Sequence, residues 1–219
     1  MKPSKVFRFD GSGIVVTYEI RRCIHAAECV RKLPAVFDTK RKPWVDPEAA
    51  TAAEVARVIE QCPTGALKYE RKDDGPRESA PAANRVKIAA NGPLYLHGRV
   101  RVESADGQPI AMETRMALCR CGKSSSKPFC DGSHVQARFT EPGLVSKPQV
   151  QSSGKSSEGT LTICCQKDAS LAVAGAFELT DSSGAVVARG DIAWLCRCGG
   201  SRNKPFCDGA HKTVGFSAS

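Results

Sequence analysis

The chain has 219 residues, 41% of them hydrophobic, and its 32 basic against 23 acidic residues give a formal charge of +9. That length suits two compact units, and no run approaches the roughly 18 apolar residues that a membrane-spanning helix needs. Nucleic acid is excluded as a partner because the basic residues are dispersed, aromatics are few and no groove-reading motif is present.

In chain order, the N-terminal stretch MKPSKVFRFDGSG lacks the apolar core of a secretory signal. A strand is predicted over Ile14 to Ile20, then a cysteine loop from Cys23 to Cys29, a short helix into Leu33-Pro34 and extended pieces around Val36 and Trp44. A long helix is predicted from Pro47 to about Gln61, with proline at its start and Val55, Val58 and Ile59 at helical spacing. Cys62-Pro63 follows directly, and a return strand runs from Ala66 to Tyr69. This first unit is placed at residues 1–72, and the charged, Pro/Ala-rich stretch after it is a linker at 73–83.

Beyond the linker the chain repeats itself. Cys119-Arg-Cys121-Gly-Lys-Ser-Ser-Ser-Lys-Pro-Phe-Cys130-Asp-Gly-Ser-His134 recurs as Cys196-Arg-Cys198-Gly-Gly-Ser-Arg-Asn-Lys-Pro-Phe-Cys207-Asp-Gly-Ala-His211, an offset of 77 positions. The offset also pairs Leu94 with Leu171, Gly98 with Gly175, Gly107 with Gly184, Leu118 with Leu195 and Phe139 with Phe216. A whole folding unit of roughly 45 residues is therefore repeated. In each unit an alternating segment (Leu94 to Val102; Leu171 to Leu179) leads through a glycine turn to a second extended stretch that feeds the first cysteine. Two small β units are expected at 84–140 and 160–219, joined by a Ser/Gly/Pro/Gln-rich solvated connector at 141–159.

Three thiols and an imidazole make a complete four-ligand set in each copy. Residues two apart on a strand share a face, so Cys119 and Cys121 reach one metal atom together, as do Cys196 and Cys198. His134 follows Cys130, and His211 follows Cys207, by about one helical turn, with Asp131 and Asp208 as expected helix caps. On this chemistry alone a closed structural zinc site and an iron–sulfur cluster are both open.

The pattern C-x-C-x2-S-x3-P-x-C-D-G-[SA]-H, matched at every position in both copies, resembles that of the CDGSH iron–sulfur family, the NEET-type proteins. The resemblance implies a [2Fe-2S] cluster on Cys119, Cys121, Cys130 and His134 and another on Cys196, Cys198, Cys207 and His211. It also implies an intramolecular pseudo-dimer, so that the chain is expected to be a monomer. One histidine ligand in place of a thiolate raises the potential. The histidine also gives the site a ligand that acid protonates and detaches.

The first unit resembles the divergent mono-cluster ferredoxins. The match lies in Cys23-Ile-His25-Ala-Ala-Glu-Cys29, Leu33-Pro-Ala-Val-Phe37, Pro43-Trp44-Val and Cys62-Pro-Thr-Gly-Ala-Leu67. The middle ligand of an ordinary bacterial pattern would fall at Ala26, which binds no iron. Cys23, Cys29 and Cys62 remain, which suits a [3Fe-4S] cluster or a [4Fe-4S] cluster whose fourth iron takes His25, water or a substrate-like ligand. The fold expected overall is α+β, a ferredoxin-like α/β sandwich followed by two β-rich CDGSH units.

Three groups of three account for nine of the eleven cysteines and leave Cys164 and Cys165, which read as buried strand thiols. The spacings fit metal binding rather than disulfides, so a reducing cytoplasm is the expected location. No nucleophile–base pair, phosphate loop or nucleotide fingerprint accompanies the cysteines, and the chain is not expected to be an enzyme by itself. The expected function is a multi-cluster electron carrier between a reductase and an acceptor. Cluster storage, transfer or sensing through histidine-ligated clusters is the alternative, with apo iron–sulfur proteins as acceptors, and a structural zinc module comes third. The positive charge points to an acidic protein partner.

Overall fold

A computed structural model describes residues 4–153 and 159–218. It divides into two units, Met1–Ser79 and Ala80–Ser219, and both are mixtures of strands with few helices.

Unit 1 is built on an antiparallel sheet in the order β1 (Val6–Asp10), β2 (Ile14–Glu19), β3 (Leu67–Arg71). The first of these strands was not expected; it pairs Phe7 with Tyr18 and Phe9 with Val16 along the predicted opening strand. Two short helices, α1 (Glu28–Lys32) and α2 (Ala52–Ile59), complete the unit. The predicted helix from Pro47 to Gln61 is interrupted. Pro47–Ala49 form one 3-10 turn, the chain extends at Ala50 and Thr51, and α2 begins only at Ala52. The interruption has a local cause. Thr51 Oγ1 accepts from the Glu54 amide and Glu54 Oε2 accepts from the Thr51 amide, a reciprocal cap that fixes the helix start. Val55, Val58 and Ile59 turn inward to join Ile14, Val16, Val36, Phe37, Val45 and Leu67 in one core.

Unit 2 consists of β4 (Arg85–Ile88), β5 (Leu94–Ser104), β6 (Pro109–Leu118), α3 (Ser133–Gln136), β7 (Thr160–Cys165), β8 (Leu171–Thr180) and β9 (Val186–Leu195). Its strands close on themselves. β4 pairs antiparallel with β5, β5 parallel with β7, β7 antiparallel with β8, and β8 parallel with β4, while β6 and β9 flank β5 and β8. The two parallel pairings join opposite repeats and are related by the 77-residue offset. Arg85, Val86 and Lys87 meet Glu178, Leu179 and Thr180, and Thr162, Ile163 and Cys164 meet Arg101, Val102 and Glu103 in the same register. Both long hairpins are also bulged at equivalent places, after His97 and after Ala174.

Closure needs close approach at those bulges. A Cβ on Gly98 would lie 2.2 Å from Asn84 Oδ1, and one on Gly175 would lie 2.3 Å from the Thr160 carbonyl oxygen. Buried Asn84 uses its whole side chain at the crossing: Oδ1 accepts from the Arg99 amide, and Nδ2 donates to the Gly159 and Ala176 carbonyls. One core of Val, Ile, Leu and Phe from both repeats fills the interior. The connector is less free than its composition suggests. Gln151 bridges to Ile192, Val145 and Val150 pack on the core, and Ser182 donates its amide to the Gly143 carbonyl. Residues 154–158 of that connector lie outside the described residues.

Candidate metal centres

Each repeat ends its second hairpin strand in a donor loop. β6 stops at Leu118, so Cys119 and Cys121 sit just beyond the strand rather than on it. Their sulfurs still converge at 3.7 Å, as do those of Cys196 and Cys198. Metal–thiolate bonds of about 2.3 Å in a tetrahedral site put two sulfurs about 3.8 Å apart. The amides of Lys123 and Gly200 each donate to the second sulfur at 3.4 Å.

The other two donors also converge. Cys130 Sγ lies 3.4 Å from His134 Nδ1, and Cys207 Sγ lies 3.4 Å from His211 Nδ1. Backbone bonds set this pair beside the first: Cys119 donates its amide to the Pro128 carbonyl and Cys130 to that of Ala117, and Cys196 and Cys207 repeat both bonds. Only the histidine of each pair is helical, on α3 or on the 3-10 turn Ala210–Lys212, and Cys130 and Cys207 precede those turns. Asp131 and Asp208 are not the caps expected of them, since Gly132 and Gly209 occupy those positions. They tie the loop across itself instead. Asp131 accepts from the amides and hydroxyls of both Ser125 and Ser133. Burial would raise the Asp131 carboxyl, but these four donors overcome it and hold the group at about 2.

The charge balance explains why such loops want metal. Burial pushes the Cys130 thiol up to about 12. The close contact between Cys119 and Cys121 lowers the Cys119 thiol and raises that of Cys121 well above a free thiol. Binding iron or zinc displaces such protons.

Arginine is the group that the cysteine pattern did not single out. Arg120 is wholly buried; it donates to the Gly92 and Ala89 carbonyls, pairs with Glu141 and lies over the Phe139 ring. Arg197 donates to the carbonyls of Ala169, Gln166 and Ala218 and lies over Phe216. Burial lowers the pKa of both guanidinium groups, and cysteines oppose it: Cys196 of the opposite loop and Cys121 for Arg120, Cys165 and then Cys119 of the opposite loop for Arg197. Positive charge buried between two thiol-rich loops favours an anionic group there. The recurrence of arginine inside both C-x-C pairs was the sequence signal for this role.

The two loops touch. A Cβ on Gly122 (φ +76°) would lie 2.2 Å from the Cys198 carbonyl oxygen, and one on Gly199 (φ +82°) would lie 2.5 Å from that of Cys121. Lys127 reaches over Phe216, and Lys204 over Phe139, each across the repeat boundary.

In unit 1, Cys23, Cys29 and Cys62 line one small cavity of about 30 Å³ with Tyr18, Trp44 and Thr64. Burial pushes Cys29 up to about 11, and Cys62 and Cys23 add to the shift. Ala26 lines the cavity too, so the position that would hold a fourth thiolate faces the site without a donor. His25 is exposed, at φ +57°, and is not part of the cavity wall; it faces a neighbouring groove. Cys165 is buried as expected, whereas adjacent Cys164 is only half-buried because neighbours on a strand face opposite ways. Among the described residues no three donors meet at a single-ion site. The described donor geometry is therefore one of separated pairs and a cavity-lining trio.

Known proteins match both units. The family described as "Divergent 4Fe-4S mono-cluster" covers residues 9–72, and "Iron-binding zinc finger CDGSH type" covers 91–135 and 168–212. The uncharacterized protein YjdI of Escherichia coli K12 is 42% identical over 64 residues, spanning 29% of this chain and 84% of that protein, and YjdI of Escherichia coli O157:H7 gives the same values. No solved structure matches. Among the described residues, no helix is long and apolar enough to cross a membrane. With four donors repeated in both C-terminal loops and three cysteines around the N-terminal cavity, this chain consists of a divergent 4Fe-4S mono-cluster domain followed by two CDGSH-type iron-binding domains in tandem.

Proposed function

We propose that the protein is a multi-cluster electron carrier. Cys119, Cys121, Cys130 and His134 would hold one [2Fe-2S] cluster and Cys196, Cys198, Cys207 and His211 a second. Cys23, Cys29 and Cys62 would hold a [3Fe-4S] cluster, or a [4Fe-4S] cluster with a non-protein fourth ligand; His25, outside the cavity wall, is left out of that set. Two donor pairs side by side in each loop, two sulfurs 3.7 Å apart and a sulfur 3.4 Å from an imidazole nitrogen, suit a two-iron group with one pair on each iron. Bound clusters supply one-electron chemistry.

The chain's own residues do the rest. Arg120 and Arg197 neutralise thiolate charge, and the Asp131 and Asp208 bonds hold the loops. The observation that carries the reading is the backbone contact at Gly122 and Gly199, which brings two electron sites together. The positive net charge suits an acidic partner, and the reaction needs no catalytic residue of this chain.

Cluster donation is favoured by one other feature: His134 and His211 are only half-buried, within reach of solvent protons. Repeated anaerobic reduction and reoxidation separates the two readings. An electron carrier keeps its visible spectrum and iron through each cycle and passes no iron to apo-ferredoxin. Iron appearing in the apo-ferredoxin, with bleaching of this chain, would replace electron carriage by cluster donation.

A further inference from the structure

The sheet face of unit 1 carries a second cavity beside the cysteine cavity, sharing Cys23 and Cys29 with it. Phe7 and Phe9 alternate onto one face of β1, opposite Tyr18 on β2, and Trp44 stands edge-on to Tyr18 with centroids 5.0 Å apart. These four rings wall a groove of about 580 Å³. That is far larger than the cysteine cavity beside it and within the size range of small-molecule sites. Cys23 and Cys29 line both spaces, so the groove ends at the proposed cluster.

Its charge has one sign. Among the described residues, the charged ones that line the groove are Arg41 and Lys42, and no carboxylate lines it. Arg41 is held in place by bonds from its guanidinium to the Pro43, Ala35 and Val36 carbonyls. Asp46, 3.8 Å from Arg41, lies outside the lining. Lys42 is exposed at the rim. Ile20, 48% exposed, is an apolar group left in water at the same groove.

We propose that this groove binds a small planar aromatic anion, its rings against the wall formed by Phe7, Phe9, Tyr18 and Trp44 and its negative group at Arg41 and Lys42. Aromatic walls favour a flat ring system, and uniform positive charge at an apolar site selects an anionic head.

The test is calorimetric titration of the anaerobically purified full chain with 2-naphthoate and with neutral 2-naphthalenemethanol, checking iron content in every variant. One saturable naphthoate site per chain is expected, with the neutral probe about tenfold weaker, a difference of about 1.4 kcal/mol. Lys42→Glu should weaken naphthoate about tenfold and leave the neutral probe unchanged. Ile20→Trp, which fills the groove from an exposed position, should abolish binding of both. Equal affinity for the two probes, or indifference of naphthoate to Lys42→Glu, would overturn the assignment of an anion. No saturable binding, or undiminished binding to Ile20→Trp, would overturn the site.

Discussion

Two histidines and two arginines set the chemistry of the C-terminal loops. Burial holds the His134 imidazole below its ordinary pKa; Asp131 opposes that shift and Arg120 adds to it. Because the unfolded imidazole takes up a proton first, this contribution is complete above about pH 6.5 and fades as pH falls below it. Protonation of a ligating imidazole detaches it, so cluster absorbance should be lost on acidification. His134→Cys and His211→Cys should each move that loss to lower pH and lower the loop's potential on the order of 100 mV, read by redox titration. Unchanged acid lability and potential in both variants would remove the histidines as ligands. Arg120→Met leaves Glu141 and two carbonyls without their donor, and should destabilise the fold by roughly 3–5 kcal/mol in urea unfolding. A loss below about 1 kcal/mol would mean that the buried guanidinium is not holding this loop.

At the scale of elements, repeated bonds explain why one sixteen-residue pattern builds the same loop twice. Ser124 and Ser201 each donate to the phenylalanine carbonyl five residues on, and Lys127 and Lys204 each donate to the carbonyl of the serine three residues back. Gly122→Ala adds a methyl against the backbone of the opposite loop and should cost iron in both repeats, most directly at Cys198. Iron analysis and the visible spectrum check this; loss confined to the first loop would show that the contact is incidental. Asn84→Ala strands the Arg99 amide and two carbonyls and should cost about 1–3 kcal/mol. The donor set was legible because metal ligands must be particular residues at particular spacings. The break before α2 was also written in the chain, as Thr51-Ala-Ala-Glu54, but apolar spacing alone runs straight through it. What could not be read locally was Asn84. Its partners lie 15, 75 and 92 positions away, and only the closed sheet brings them together.

For the whole molecule, the 77-residue repeat announced two equivalent units, and alternation in each gave its hairpin. It did not say that β4 and β7 would each pair with the other repeat, since strand pairing between distant segments leaves no local pattern. Unit 1 shows the opposite balance. Its three cysteines were legible, but the edge strand β1 was hidden in a short stretch whose Phe7 and Phe9 are only half-covered. On the proposed function these sites hold three iron–sulfur clusters. The most direct measurement is iron, sulfide and zinc content of anaerobically purified protein, with visible absorption and EPR before and after dithionite. Three clusters would give about seven or eight irons per chain, matching sulfide, [2Fe-2S] signals and a distinct cubane-type signal from unit 1. About four irons with [2Fe-2S] signals alone would empty the first site, and zinc without visible absorption in native-host protein would contradict the account.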